Sequence, residues 1–314
     1  MDVPFNVTYI TLEGHVEVHR YRYLYFVIMF TVYVLILCSN STIVSMIVIH
    51  RNLHEPMYMF IAALMVNSVL FSSAIYPKLL LDFLSEKQVI SYSACLIQIF
   101  LYYTLISSEF LLLAAMSYDR YVSICKPLQY PNIMRRRTVN ACLVLSWVVP
   151  ACHIAVPVAF STSTRLCGVT SKGVFCNNTI NKLHCVRSRA MSAYGIVVLV
   201  NLSLLPMLFI LFTYTQIFLV AYHSSGAVRR KAAQTCFPHL MVLINFSCLV
   251  TYDVITDKLE DEFPKIVRLI MTLQMLLCHP LFNPIMYGLN MKEISKQLRG
   301  MFCPEKSICC VRIL

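Results

Sequence analysis

The chain has 314 residues, of which 58% are hydrophobic and 13% are charged. A soluble domain carries about 25% charged residues, so this composition excludes an ordinary soluble protein and indicates a membrane protein. The formal net charge of +11 is expected to reflect membrane topology and attraction to an anionic inner leaflet, and not the binding of nucleic acid.

Seven apolar stretches follow one another along the chain, each near the ~20 residues that a helix needs to cross a bilayer. Their approximate bounds are 24–49, 57–82, 95–119, 139–160, 192–221, 235–256 and 264–288. Only helices and closed barrels satisfy the backbone inside a membrane, and these stretches show no strand alternation. The prediction is an all-α membrane protein, a seven-transmembrane helix bundle at 24–288. Residues 1–23 are then an extracellular N-terminus, and 289–314 a cytoplasmic tail that includes a short amphipathic helix.

Basic residues mark one side of this bundle. The loops after the first, third and fifth stretches and the tail hold Arg51, Lys126, Arg135, Arg136, Arg137, Arg229, Arg230, Lys231, Lys292, Lys296 and Arg299. Because cytoplasmic loops carry an excess of lysine and arginine, this predicts a multi-pass plasma-membrane protein with its N-terminus outside and its C-terminus inside. Glycan-acceptor triplets that begin at Asn6 and Asn177 lie on the side that this assignment leaves outside.

The third stretch ends at an acid and an arginine side by side, Asp119 and Arg120, followed by Tyr121. Ionisable groups at a membrane boundary are costly, which makes them functional candidates. Arginine and tyrosine also serve as plain interfacial anchors, and the pair alone does not separate the two interpretations.

Glu109 is a second carboxyl group in the same stretch, about three helical turns before Asp119. A charged group at that depth is expensive. It is expected to be protonated, to be solvated by a residual water pocket, or to form part of a polar core. The candidate partners for such a core are Asn40, Asn67 and Asn283.

Four cysteines fall on the predicted outer side: Cys95, Cys167, Cys176 and Cys185. An even number in an oxidising compartment indicates two disulfides, for which the sequence permits three pairings. Three further cysteines in the tail, Cys303, Cys309 and Cys310, follow a short basic amphipathic stretch. They are candidates for reversible acylation, with free thiols as the alternative.

Five motifs, in order along almost the whole chain, resemble the signatures of the olfactory (odorant) receptors, a family of rhodopsin-like (class A) G-protein-coupled receptors. They are LHEPMYMF at 53–60, PKLL at 77–80, MSYDRYVSIC at 116–125, KAAQTCFPHL at 231–240 and PLFNPIMYG at 280–288. In detail they resemble the fish-type receptors. The chain departs from the pattern at Asn67 and Ser68, where an aspartate is usual in the second span, and at Asn290, where an arginine often follows the last motif. The first departure puts a sodium-type ion site in doubt.

The resemblance implies an odorant-binding receptor that is not an enzyme and needs no cofactor. Its implied partners are a small-molecule odorant, membrane lipids and a heterotrimeric G protein of the stimulatory, olfactory type, which raises cyclic AMP in olfactory neurons. It also implies the disulfides Cys95–Cys176 and Cys167–Cys185. The residues that match the G-protein switch are Asp119, Arg120, Tyr121, Tyr214, Asn283, Pro284 and Tyr287.

Residue chemistry supports a switch in this region. The carboxylate of Asp119 can hold the Arg120 guanidinium inward, and its release would direct that cation into a cytoplasmic opening between helices. Pro206 and Pro284 each remove a helix hydrogen bond, so the fifth and seventh spans have points about which they could bend. Prolines are also simply tolerated in membrane helices, which is an equal alternative for Pro206.

The ligand pocket is expected in the outer half of the bundle, between the third, fifth, sixth and seventh spans and below the disulfide-tied loop. Helical spacing gives the candidate lining Tyr102, Tyr103, Ile106, Ser107, Val198, Leu199, Leu202, Ser203, Val250, Thr251, Val254, Lys258, Leu269, Leu273 and Leu276. Helix packing is the more frequent fate of such residues. Lys258 could bind an anionic odorant, but acidic residues on the same turn favour a local salt-bridge cluster.

Other classes of membrane protein fit less well. A transporter is expected to show internal repeats and interrupted spans, and a channel a filter or rings of charge. An enzyme needs a nucleophile with a base, or a metal set, whereas Cys278 and His279 form a pair without further ligands. The remaining alternative is a rhodopsin-like receptor for an endogenous, non-odorant ligand.

Overall fold

The computed structural model describes residues 9–14, 18–186, 188–224, 226–258 and 264–302. The first four spans are α1 (Val18–Ile49), α2 (Pro56–Leu84), α3 (Tyr92–Cys125) and α5 (Arg136–Thr162). Span five consists of α6 (Arg189–Leu199), a π-helical turn (Val200–Leu204) and α7 (Leu205–Tyr222), span six is α8 (Gly226–Lys258), and span seven is α9 (Lys265–Asn290). The short helix α4 (Tyr130–Ile133) lies in the loop after α3, and α10 (Lys292–Phe302) follows span seven.

Six of these spans are long and apolar enough to cross a membrane over their described residues, and span six contains a shorter apolar segment, Cys236–Thr251. The predicted seven-helix membrane bundle is therefore confirmed. The helix α10 occupies the place of the predicted amphipathic tail helix, with Ile294 buried against the bundle.

Span three differs from its predicted end at residue 119, because α3 continues to Cys125. Its last turns still bury side chains such as Val122, so packing extends the helix past the apolar stretch. Lys126 leaves the helical conformation directly before Pro127, and proline disfavours an α-helical residue in front of it. As a result, Asp119 and Arg120 lie inside a helix and not at its end.

Three prolines inside the spans leave backbone carbonyls without their helical N–H partner, and side chains from other spans supply the missing donor. Pro157 frees the carbonyl of His153, which accepts from Tyr194 Oη at 3.2 Å. Pro280 frees that of Leu276, which accepts from Tyr76 Oη at 3.1 Å. In a membrane an unpaired carbonyl is costly, so these contacts allow the prolines and also join the helices.

Pro284 frees the carbonyl of Pro280 in the same way, and Asn40 of span one donates to it at 3.0 Å. Asn40 also donates to its own helix, at the carbonyl of Ile36. This corrects the prediction that Asn40 belongs to a polar core with Glu109. Its amide group is instead engaged by the backbone of span seven, at the point where proline weakens that helix.

A small sheet covers the end of the bundle at which α3 begins. Strand β1 (Tyr9–Leu12) lies between β2 (Val89–Ser91), to which it is antiparallel, and β3 (Thr170–Ser171), to which it is parallel. Ile10 and Leu12 are buried against the start of α3 and the long outer loop. The strand that precedes span one is thus packed against the rest of the fold.

Two disulfides fix the outer loop. Cys95 at the start of α3 bonds to Cys176 across a sequence separation of 81, and Cys167 bonds to Cys185 across 18. The first ties the loop to span three, whereas the second closes a turn within the loop.

We expect Cys176→Ser to lower the thermal stability of the protein more than Cys167→Ser. Losing a native disulfide costs about 2–5 kcal/mol, and in the chain-entropy model the longer closure contributes about 1 kcal/mol more than the shorter. Unfolding temperatures of the purified variants in one detergent would check this, with Cys38→Ser, an exposed free cysteine, as the control. Equal losses from the two variants would contradict it.

Candidate functional site

The C-terminal end of α3 holds a closed charge cluster. Arg120 Nε donates to Asp119 Oδ2 at 2.9 Å, and its Nη2 contacts the same oxygen. The other carboxylate oxygen, Oδ1, accepts from Tyr130 Oη at 2.8 Å. Asp119 is fully buried and Arg120 is 9% exposed. The guanidinium is therefore held inside the bundle by an acid whose two oxygens are both occupied.

Tyr130 was not anticipated from the sequence as part of this cluster. It lies on α4, in the loop after span three, and that short helix follows Pro127 closely enough to bring the phenol back onto α3. Burial, and then the negative charge of Asp119, raise the pKa of the Tyr130 phenol. The phenol thus remains protonated at neutral pH and keeps donating to the carboxylate.

Two of the predicted switch tyrosines are buried at the same end of the bundle. Tyr287 of span seven is 0% exposed, and its hydroxyl lies 3.2 Å from Nδ1 of His239 on span six. Tyr214 of span five is also buried. Tyr121 is different, because it is half-buried and carries the Lys126 ammonium 5.8 Å from its ring centroid. Spans six and seven are therefore joined by a side-chain hydrogen bond that an outward movement of span six would break.

A second polar cluster surrounds Glu109 in the middle of the bundle. Asn283 Nδ2 donates to Oε1 at 3.0 Å, and Asn67 Nδ2 lies 3.4 Å from Oε2. His279 Nε2 approaches Oε2 at 3.0 Å, outside hydrogen-bond angles. Trp147 Nε1 donates to Asn67 Oδ1 at 3.2 Å and so adds span four. Two of the three predicted partners of Glu109, Asn67 and Asn283, are thus in place.

Sequence reasoning missed Trp147 and His279 as members of this cluster. His279 was considered only beside Cys278, where it has no further ligands. Counting along the helix would have found it, because residues four apart share a helix face and His279 lies four before Asn283. Its ring is 1% exposed and lies between Phe71 and Phe246, with centroids 4.8 and 4.7 Å away.

An outer cavity of about 390 Å³ lies between spans three, four and five and below the outer loop. It is lined by seven of the candidate pocket residues: Tyr103, Ile106, Ser107, Val198, Leu199, Ser203 and Val250. Span four contributes a wall that was not predicted: Ile154, Pro157, Val158, Phe160 and Ser161. The position of Asn178 and Ile180 in the lining places the disulfide-tied loop above it.

Of the other candidates, the six whose side chains the structure describes do not line this cavity. Tyr102, Leu202, Leu269 and Leu276 are buried in helix packing, Leu273 packs against the core, and Thr251 is exposed. The side chains of Val254 and Lys258 lie outside the described part of the structure. Span four therefore replaces span seven in the lining of this cavity, because α3 packs closely against α5.

Of the residues predicted to carry a glycan or an acyl group, the structure describes one, Asn177. Asn177 caps a short 3₁₀ helix, where its Oδ1 accepts from Thr179 N and Oγ1 at 3.1 and 2.8 Å. Asn6, Cys303, Cys309 and Cys310 lie outside the described residues.

Comparison with known proteins gives a consistent result over most of the chain. A family model described as olfactory receptor matches residues 29–305. Human olfactory receptor 11A1 is 32% identical over 307 residues, covering 96% of this chain and 96% of that protein. Human olfactory receptor 2T2 is 32% identical over 299 residues, covering 94% and 91%, and human olfactory receptor 13C9 is 30% identical over 305 residues, covering 92% and 93%. The region that the family model matches includes span one from residue 29, the other six spans and both polar clusters.

Proposed function

The chain belongs to the olfactory receptor family of rhodopsin-like (class A) G-protein-coupled receptors, and from this premise we propose that it signals through a stimulatory, olfactory-type G protein by opening the Asp119–Arg120 cluster. As a member of this family it is an odorant-sensing, multi-pass membrane receptor and not an enzyme. Its output is an increase in cyclic AMP in olfactory neurons.

The observation that carries this proposal is the buried guanidinium of Arg120 beside Asp119. A buried cation carries a desolvation cost that its partner must offset, so the pair is suited to a switch with two arrangements. Movement that separates Tyr130 from Asp119, or span six from Tyr287, would free Arg120 to face the cytoplasm. We assign Tyr121, Tyr214, Asn283 and Pro284 to the same switch.

The proposal also implies an orientation of the receptor in the membrane. The N-terminus and the loops with Cys95 and Cys176 face outside, and α4, α10 and the basic loops face the cytoplasm, where lysine and arginine contact anionic lipids. The domain division is 1–23, 24–288 and 289–314. Glycans at Asn6 and Asn177 would belong to the outer face.

The test is a cyclic AMP assay in cells that carry the receptor at their surface, screened against amino acids, bile acids, amines, nucleotides and small carboxylates. A ligand-dependent rise supports an odorant receptor with this coupling. If ligands instead raise a signal through another G protein, with cyclic AMP unchanged, the stimulatory coupling is wrong.

Tyr130→Phe is expected to raise ligand-independent cyclic AMP. The change removes the only described hydrogen bond to Asp119 Oδ1, and a hydrogen bond to a charged group contributes about 1.5–3 kcal/mol. Basal output is expected to rise several-fold, since part of that free energy favours the closed arrangement. Tyr222→Phe is the matched control, because Tyr222 is exposed and its hydroxyl makes no hydrogen bond among the described residues. Equal basal output from both variants would argue against a locking role for Tyr130.

A further inference from the structure

The loop side of the cavity is only partly covered, because Asn181 and Val186 line it and are exposed there, but several contacts hold this loop in place. Strand β1 closes over the bundle, and at its end the backbones of Gly14 and Gly173 come so close that an added Cβ on Gly14 would lie 2.5 Å from Gly173 C. Below this sheet, Asn178 N donates to Tyr103 Oη at 3.1 Å, which ties the loop to span three across the cavity wall. The disulfide Cys95–Cys176 holds the same loop down.

The side of the cavity between spans four and five is built differently. Phe160, Ile196 and Leu199 line the cavity and are also exposed on the flank of the bundle, where the bilayer lies. Gly195 lines it as well, and a Cβ added there would meet nothing within 4 Å. Glycine in a helix interior is unfavourable by about 1 kcal/mol relative to alanine, and here it leaves a gap in an apolar wall.

Span five is also locally irregular at this level. The π-helical turn Val200–Leu204 ends two residues before Pro206, which cannot donate to the carbonyl of Leu202. Within this turn Ser203 lines the cavity while Leu202 is buried in packing. A single turn of π-helix often accompanies a functional site, because it redirects one side chain.

The polar groups of the lining are mostly uncharged. Ser107 and Ser203 present hydroxyl groups, and His184 presents an imidazole whose Nε2 is buried without a hydrogen-bond partner among the described residues. Burial lowers the pKa of His184, so the ring is neutral at pH 7. Lys182 belongs to the lining too, but it is exposed at the loop end.

We propose that the ligand enters this cavity from the outer leaflet, through the gap beside Gly195 between spans four and five, and that it is a neutral amphiphile. Its apolar body would pack between Ile106, Val198 and Leu199, and its hydroxyl or carbonyl group would bind Ser107, Ser203 or His184. The inference rests on the proposed odorant-receptor function, since it takes this cavity as the ligand site.

The experiment measures access to the cavity without any signalling. A cysteine introduced as Ser203→Cys in the full-length receptor, in nanodiscs, is treated with either hexyl methanethiosulfonate or the trimethylammonium-ethyl analogue, and labelling at that position is followed by peptide mass spectrometry. We expect the neutral reagent to react about tenfold faster or more, because a cation is costly in an apolar passage. Both reagents should label the detergent-denatured protein equally.

Gly195→Phe, combined with Ser203→Cys, should slow the neutral reagent by about tenfold because the ring fills the gap, whereas Gly195→Ala should not. 1-Octanol should protect the cysteine, and octanoate or octylammonium should not. Equal rates for the two reagents, unchanged labelling with Gly195→Phe, or no labelling by either reagent in the folded receptor would overturn entry from the membrane. Protection by octanoate alone would overturn the neutral ligand class. These readouts need no G protein, so a failure of the proposed coupling would not affect them.

Discussion

Arg120→Ala is expected to abolish the ligand-dependent rise in cyclic AMP while leaving most of the receptor at the cell surface. Arg120 is held by Asp119 through Nε and Nη2, and in the proposed switch it is the group released toward the G protein. Removing a charge-assisted contact worth about 1.5–3 kcal/mol in the active arrangement predicts a loss of about tenfold or more in coupling. Surface density is measured on the same cells with an antibody to an N-terminal tag.

Two further variants sharpen this test. Arg135→Ala removes an exposed arginine that donates only to Asn132 in the described structure, so it controls for the loss of one positive charge near the same face. Arg120→Lys keeps the positive charge but not the planar guanidinium group, and is expected to retain only part of the signal that Arg120→Ala loses. Normal cyclic AMP output from surface-verified Arg120→Ala would rule out the switch as proposed.

His279→Ala is expected to be among the most destabilising single substitutions in the bundle. The change leaves Oε2 of Glu109 with Asn67 at 3.4 Å as its nearest described donor, and it empties the space between Phe71 and Phe246. Truncating a large buried side chain to alanine costs about 2–5 kcal/mol, because the surrounding side chains fill the cavity only in part. Thermal unfolding of the purified receptor, together with surface expression, measures the loss.

A double-mutant cycle separates the charge effect from the packing effect. Glu109→Gln keeps the shape and removes the formal charge, so Glu109→Gln combined with His279→Ala should lose less stability than the two single losses added together. Additive losses would show that His279 contributes only volume. Leu269→Ala serves as a reference for a buried side chain of span seven that is remote in sequence from this cluster.

The helices themselves were largely predictable from the sequence. A run of about 20 apolar residues must be a helix in a bilayer, whatever surrounds it. The predicted span three ends at residue 119 because the apolar stretch ends there, whereas the helix continues to Cys125, directly before Lys126 and Pro127. The roles of the pocket and switch residues stay predictions until variants are measured.

The sequence by itself determined the seven-helix class, the family motifs and the residues available for a switch, because bilayer thickness and helical spacing are local constraints that each segment meets alone. Only the tertiary structure decided which partner each polar group has. Asn40 donates to the Pro280 carbonyl, which lacks its helical N–H partner because of Pro284. His279 lies beside Glu109, and Tyr130 donates to Asp119. Span four lines the cavity. These contacts depend on how each helix is rotated and which helix lies beside it, and that is set by packing between segments far apart in the chain.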